Sequence, residues 1–371
     1  MTKLIDITGK ALSGEWGLED EVGTGIPVLR TTNFTNVGVI NYDDVVTRNI
    51  TKKNISEKFL KKGDIIIEKS GGSDKQPVGR VVLFKGEDNK YLFNNFTGVL
   101  RIKDREKWEP EYVFYALFSN YRNGGTRKYE NKTTGLHNLK TDLYLNNYEI
   151  KWIDIERQKH ACMILRKIES IISDRNKELT QLDELIKARF VEMFGDAYKA
   201  SKYPKQKWND VVTINNGRDY KKVAVNDGGY PVYGTGGEMA RASDYLCPEN
   251  TIIVGRKGTI NNPLLVREKY WNVDTAFGVI PGNKLHYLYF FWFCKMFDFS
   301  RLNKQAVLPS TTKADLLNIE MQVPPIEVQN QFAAFVAQVD KSKFALSNEL
   351  AMGDFYVRLI HDRVMHGSVD L

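Results

Sequence analysis

Leu139 to Gln158 reads LKTDLYLNNYEIKWIDIERQ, and Thr312 to Gln329 reads TKADLLNIEMQVPPIEVQ. Lys140-Thr141-Asp142-Leu143 matches Lys313-Ala314-Asp315-Leu316 at an offset of 173, and Ile155-Glu156-Arg157-Gln158 matches Ile326-Glu327-Val328-Gln329 at an offset of 171. A two-residue gap between the blocks accounts for the difference. The match continues upstream. GDIIIEKSGG (Gly63 to Gly72) pairs with NTIIVGRKGT (Asn250 to Thr259), each a β-branched run leading into a turn rich in Lys and Gly. NNFTGVLRI (Asn94 to Ile102) pairs with VDTAFGVIP (Val273 to Pro281), and EYVFYALFSN (Glu111 to Asn120) with the aromatic stretch HYLYFFWFCK (His286 to Lys295). Several blocks in one order, twice, mean that the chain is an internal duplication.

Each copy ends in a long helical pattern. The first spans about Ile155 to Phe194, with apolar residues at Ile164, Ile168, Ile171, Leu179, Leu182, Ile186, Phe190 and Met193, and Gly195 follows as a C-cap. The second spans about Glu327 to His366, with Phe332, Val336, Val339, Leu346, Leu350, Val357, Ile360 and Val364 on one face and Gly353 interrupting the stripe. At ~1.5 Å per residue each is roughly 60 Å long, and a helix of that length with a heptad-like stripe packs on a partner of similar length. The expected architecture is α+β. Two similar mixed domains are separated by two long helices, which pair as an antiparallel coiled coil with a pseudo-twofold axis. The expected boundaries are 1–152 for the first head, 153–197 for the central helix, 198–325 for the second head and 326–371 for the C-terminal helix. Ile168, Leu179, Leu182, Ile186, Val339, Leu346, Leu350 and Val357 are the expected pairing residues.

Composition narrows the function. The 371 residues carry 53 Lys and Arg against 46 Asp and Glu, a net charge of +7. The excess lies in the heads, at +3 over residues 1–150 and +6 over 201–312, whereas 313–371 is −3. Heads that touch a polyanion and helices that do not would give this distribution. The basic residues cluster in Gly- and Asn-rich loops. In the first head these are Lys69, Lys75, Arg80, Arg122, Arg127, Lys128 and Lys132. In the second they are Arg218, Lys221, Lys222, Arg241, Arg256, Lys257, Arg301 and Lys304. Loop-borne Arg and Lys suit phosphates and base edges, so these are the candidate DNA contacts.

Motifs for catalysis are missing. The sequence holds no G-x-x-x-x-G-K-[ST] phosphate loop, and Pro324-Pro325 is its only proline pair, at a helix entrance. Val232 to Gly237 has glycines but no helix pattern behind it. Asp64, Glu68 and Lys69 lack nuclease spacing. Cys162, Cys247 and Cys294 and the five histidines form no metal-ligand pattern, so neither a metal nor a catalytic residue is assigned. The apolar run Leu285 to Cys294 is too short to span a membrane and reads as a buried helix. No apolar leader opens the chain, so the cytoplasm is the expected compartment.

Taken together, VLPSTTKADLLNIEMQVPPIEVQNQFAAFVAQVD, LDELIKARFVEMFGD (Leu182 to Asp196), YPVYGTGG, IIVGRKGTINNP and IPVLRTTNFTNVGVIN resemble the DNA specificity subunits of type I restriction–modification systems. The likeness covers essentially the whole chain, in the family's order. One departure stands at the first junction, where Trp152-Ile153-Asp154 replaces a proline pair and implies a different helix start. The resemblance implies a non-catalytic subunit whose heads each read half of a bipartite site on double-stranded DNA. It implies helices that act as a spacer ruler and dock two modification subunits, with restriction subunits joining them. S-adenosylmethionine and ATP with Mg would then belong to those partners, and this chain would carry no cofactor. Two other readings stand beside it: a protein-binding adaptor, and a DNA-modifying enzyme with an unrecognised active site.

Overall fold

The computed structural model describes residues 1–133, 136–196, 202–302 and 310–366, with backbone alone at 132–133 and 354–366. The chain forms two compact units, one of residues 1–174 with 350–371 and one of 175–349. Each unit therefore contains a head and the adjoining parts of both long helices. This grouping cuts across the four segments expected from sequence.

In the first unit a four-stranded antiparallel sheet runs in the order Leu12–Ser13, Thr97–Leu100, Ile65–Glu68, Val81–Leu83. Its central strand, Ile65–Glu68, is buried throughout. Alternation explains this. Ile65 and Ile67 face the aromatic helix Pro110–Arg122 and its core, while Ile66 faces a second core with Leu29, Phe34, Phe84, Phe93 and Val99. A strand covered on both faces shows a continuous apolar run. A second sheet, Leu18–Glu19, Val46–Asn49, Ile26–Leu29, Leu92–Phe93, contains one parallel pair. Thr2–Lys3 pairs with Glu149–Ile150.

The second unit repeats this plan. Its main sheet runs Val212–Asn216, Ala276–Pro281, Thr251–Gly255, Leu264–Val266. Ile252 and Val254 face one core and Ile253 another. The smaller sheet, Ala224–Val225, Gly237–Ala242, Tyr230–Gly234, Trp271–Asn272, again has one parallel pair. Lys205–Lys207 pairs with Glu320–Gln322. The apolar run expected to be a buried helix is Tyr287–Met296. Among the described residues, no helix is long and apolar enough to cross a membrane. The duplication is thus structural, with one adjustment. The short helices Thr141–Asn147 and Lys313–Leu317 follow Lys140 and Thr312, so the backbone equates residues 172 apart there.

The long helices are Ile155–Phe194 and Ile326–His366. Gly195 ends the first with φ at +81°, where a side chain would be strained. The departure at the first junction does not move the start, because both helices begin three residues before the matched glutamine. Asp154 replaces the proline pair by accepting the Arg157 N–H at 3.0 Å, a side-chain N-cap. In the second unit the helices run antiparallel. Lys343 meets Asp183 at 2.6 Å, Arg175 meets Glu349 at 3.2 Å, and Phe190 and Phe194 both pack on Phe332 at 5.5 Å. In the first unit Gly353 lies beside Ile172, where an added Cβ would stand 3.4 Å from Cγ1. The expected stripe is corrected at two points. Ile171 is 50% exposed, so Ile172 takes the inward place. The helix also continues through Gly353 without a break.

Of the pairing residues, Ile186 and Val339 are buried in the second head's core with Phe190, Phe332 and Val336, and Leu182 packs against that core. Leu346 is buried; Ile168, Leu179 and Leu350 are half-buried. The side chain of Val357 lies outside the described residues. The helix ends are therefore continuous with the head cores. Cys162 and Leu165 are buried in the first head in the same way.

Candidate nucleic-acid interface

Both heads build the same backbone junction where the central strand leaves its sheet. In the first head the Lys69 and Ser70 N–H groups donate to the Phe96 carbonyl at 2.8 and 3.2 Å, and Leu139 N–H donates to the Lys69 carbonyl at 2.8 Å. In the second, Arg256 and Lys257 donate to Thr275 at 2.9 and 3.4 Å, and Thr311 donates to Arg256 at 3.0 Å. A basic side chain stands at the same point of each junction, Lys69 in one and Arg256 in the other. Glycine follows two residues later for a steric reason. A Cβ on Gly71 would lie 2.4 Å from Glu68 Oε1, and Gly258 has φ at +79°.

The surroundings of the two junctions differ. Arg256 and Lys257 are exposed, and the Arg256 guanidinium bonds the Asp274 carbonyl at 3.3 Å. Arg218 donates its N–H to Asn272, so Arg218 and Arg256 flank the segment Asn272–Asp274. Lys69 is half-buried, and burial together with the nearby Lys58 holds its amine below the usual lysine range. Lys58 and Lys52 both pair with Glu15, whose carboxyl is held low chiefly by the Lys58 hydrogen bond. The cations outnumber the carboxylate in this group. Neither Lys52 nor Lys58 belongs to a Gly-rich loop, which is why the sequence pattern missed them.

Arg80 is the main correction to the sequence reading. Its guanidinium donates to the Thr31 and Phe34 carbonyls at 2.9 and 3.0 Å and meets Glu68 at 3.4 Å. Glu68 is buried, and burial pushes its carboxyl up despite the facing guanidinium. Arg80 therefore braces the first head from inside. Arg80→Ala is expected to destabilise that head by about 2–3 kcal/mol, because it strands a buried carboxylate and the Phe34 carbonyl, while the Thr31 carbonyl keeps the Phe34 N–H. It should leave the salt dependence of DNA binding unchanged; a reduced slope in a folded variant would restore Arg80 as a phosphate contact.

The other candidates occupy several places. Arg127 bonds the Asp74 and Lys75 carbonyls at 3.1 and 3.3 Å, which brings the exposed Lys75, Arg127 and Lys128 together. Arg122 is exposed beside Phe118. Lys221 and Lys222 are exposed, while Arg241 is half-buried and paired with Glu238 at 2.9 Å. Arg301 is exposed near Asp298. The Lys132 side chain and all of Lys304 lie outside the described residues. Among the described residues, no group of three or more His, Cys, Asp or Glu side chains is placed to hold a metal ion.

In the sequence Gln158 and Gln329 are matching letters with no motif to mark a role. Both are fully buried. Gln158 accepts the Glu109 N–H at 2.9 Å and donates to the Lys107 and Ile153 carbonyls at 2.9 and 2.8 Å. Gln329 accepts the His286 N–H at 2.8 Å and donates to the Lys284 and Pro324 carbonyls at 2.9 and 2.8 Å. Each glutamine ties the first turn of a long helix to the start of its head's aromatic helix.

Comparison with known proteins agrees with this geometry. The family model for the type I restriction modification DNA specificity domain matches residues 3–182 and 201–351. A candidate type I restriction enzyme specificity subunit of Methanocaldococcus jannaschii, MjaX, is 22% identical over 353 residues, covering 87% of this chain and 81% of the relative. The S subunit of a type I restriction–modification system from M. genitalium superposes with a TM-score of 0.56 at 14% identity, over 100% of this chain and 96% of that one. A chain from a structural study of complex assembly in a type I system gives 0.62 at 17% identity, over 99% and 97%.

Proposed function

Since this chain belongs to the type I restriction–modification DNA specificity family, we propose that its two heads each read one half of a bipartite site on double-stranded DNA. The chain is the specificity subunit, a non-catalytic component with two target-recognition domains that bind DNA sequence-specifically. It works within a restriction–modification assembly. The finer division of labour is the proposal. Two modification subunits dock on the long helices and methylate with S-adenosylmethionine. Restriction subunits with ATP and Mg join them, all in the cytoplasm.

The observation that supports two readers is the duplicated junction, which presents a basic side chain at the same backbone point in both heads. The exposed Arg256 and Lys257 at the second head's junction supply salt-sensitive affinity, and polar contacts in the grooves supply discrimination. Selection from a random duplex library, with the assembled complex, tests the reading. Two half-sites with a fixed gap are expected; no enrichment by a verified complex would favour the adaptor reading. Replacing Arg256 and Lys257 together by Ala should weaken binding to every sequence and lower the log–log salt slope by about 1–2. An unchanged slope would remove both from the phosphate-binding surface.

A further inference from the structure

The turn Asn94–Thr97 in the first head is hydrogen-bonded at both ends and adjoins the junction. Asn94 and Thr97 are buried. Thr97 donates to the Asn94 carbonyl through N–H at 3.1 Å and Oγ1 at 2.9 Å, and Asn94 N–H bonds the Leu29 carbonyl at 3.0 Å. The tip residues Asn95 and Phe96 project outward, and Phe96 is 50% exposed. The Phe96 carbonyl is also the acceptor that fixes Lys69 and Ser70. An apolar ring is therefore held on a fixed turn, bonded through its own backbone to the basic residue of the head.

The second head shows what is particular to the first. Its turn, Val273–Ala276, closes through the Ala276 N–H to Val273 carbonyl bond at 3.0 Å, and the Thr275 carbonyl fixes Arg256 and Lys257. The backbone is the same, but the tip reads Asp274-Thr275 where the first head has Asn95-Phe96. The duplicated scaffold keeps the turn and varies its tip, as expected of a position that sets what each head reads. The ring lies outside the buried apolar cores of the head and is half exposed.

On the reading of the heads as DNA readers, we propose that Phe96 is a specificity-determining contact of the first head, laid against the apolar surface of a base in its half-site. Two base surfaces offer this chemistry: the thymine methyl in the major groove and the face of a partly unstacked base. Asn95 beside it supplies donors and an acceptor for a neighbouring base edge.

The test uses the full chain assembled with its modification subunits, and the duplex selected from the library. Phe96→Ala is expected to weaken binding to that duplex about tenfold or more, as when a base loses its aromatic partner. Its thermal midpoint should stay near the wild-type value, because the half-exposed ring lies outside the buried core, and its salt slope should be unchanged, because no cation is lost. Binding to a duplex scrambled in the half-site read by the first head should be unaffected by the substitution.

Two arms identify the surface. If the thymine methyl is read, replacing one thymine by deoxyuridine weakens the wild type and leaves Phe96→Ala unchanged. If a base face is read, deoxyuridine has no effect, and 2-aminopurine at the contacted step brightens with wild type only. Equal binding by Phe96→Ala and wild type overturns the proposal, as does an equal loss on the scrambled duplex. Failure of the wild type to prefer the selected duplex counts instead against the heads as DNA readers.

Discussion

Gln158→Ala is expected to lower the stability of the first unit by about 3 kcal/mol, and Gln329→Ala to do the same in the second. Each substitution leaves one N–H and two carbonyls without the side chain that satisfies them. A buried group without a partner costs about 1–3 kcal/mol, and water reaching the part-buried carbonyls of Lys107, Ile153 and Lys284 recovers part of the sum. Glutamate at either position is the informative control. It keeps the acceptor and the shape but loses both donations, and ionised it adds a buried charge. Gln158→Glu should therefore be no better than Gln158→Ala at neutral pH. Urea denaturation of the single and double variants measures this. Losses below about 1 kcal/mol would mean that the glutamines do not hold heads to helices. The two losses should add, because each set of bonds lies within its own unit.

Adding seven residues to the first long helix after Asn176, with seven added to the second after Asn348, is expected to lengthen the preferred gap between half-sites by about three base pairs. Seven residues extend a helix by about 10.5 Å, against about 3.4 Å per base pair of DNA. Seven also restores the heptad phase, so the inward residues of each helix stay inward. The paired insertion follows from the antiparallel register in the second unit, where Arg175 meets Glu349 and Asp183 meets Lys343. The half-site sequences should not change, because both head junctions are untouched. Selection with the lengthened chain reads the gap directly. A folded variant that keeps the original gap would end the ruler reading and leave the recognition reading intact.

Much of this protein is legible in its letters because much of its structure is local. The helix Ile155–Phe194 follows from apolar spacing and from Gly195, and its observed ends are those expected. The duplication shows in matched blocks because both copies must bury the same central strand on two faces, which restricts Ile65–Ile67 and Ile252–Val254 to apolar residues.

The candidate interface is less legible, since a basic residue in a Gly-rich loop is the same letter whether it faces water or carbonyls. Arg80 and Arg256 look alike in sequence. The acceptors of Arg80 are Thr31 and Phe34, 49 and 46 residues earlier in the chain, whereas Arg256 remains exposed. Ile171 and Ile172 are likewise equivalent until a partner helix chooses between them.

What the sequence determined alone is the plan: two similar heads, two long helices, and a polyanion-binding charge pattern in the heads. These depend on periodicity, repetition and composition, which the chain carries locally. What only the tertiary structure decided is the use of each polar and exposed side chain. Gln158 and Gln329 became ties between head and helix, Arg80 an internal brace, and Phe96 a projecting ring on a fixed turn. The free energy of a polar or exposed side chain depends on partners that the fold brings from far along the chain, and no short window of sequence contains them.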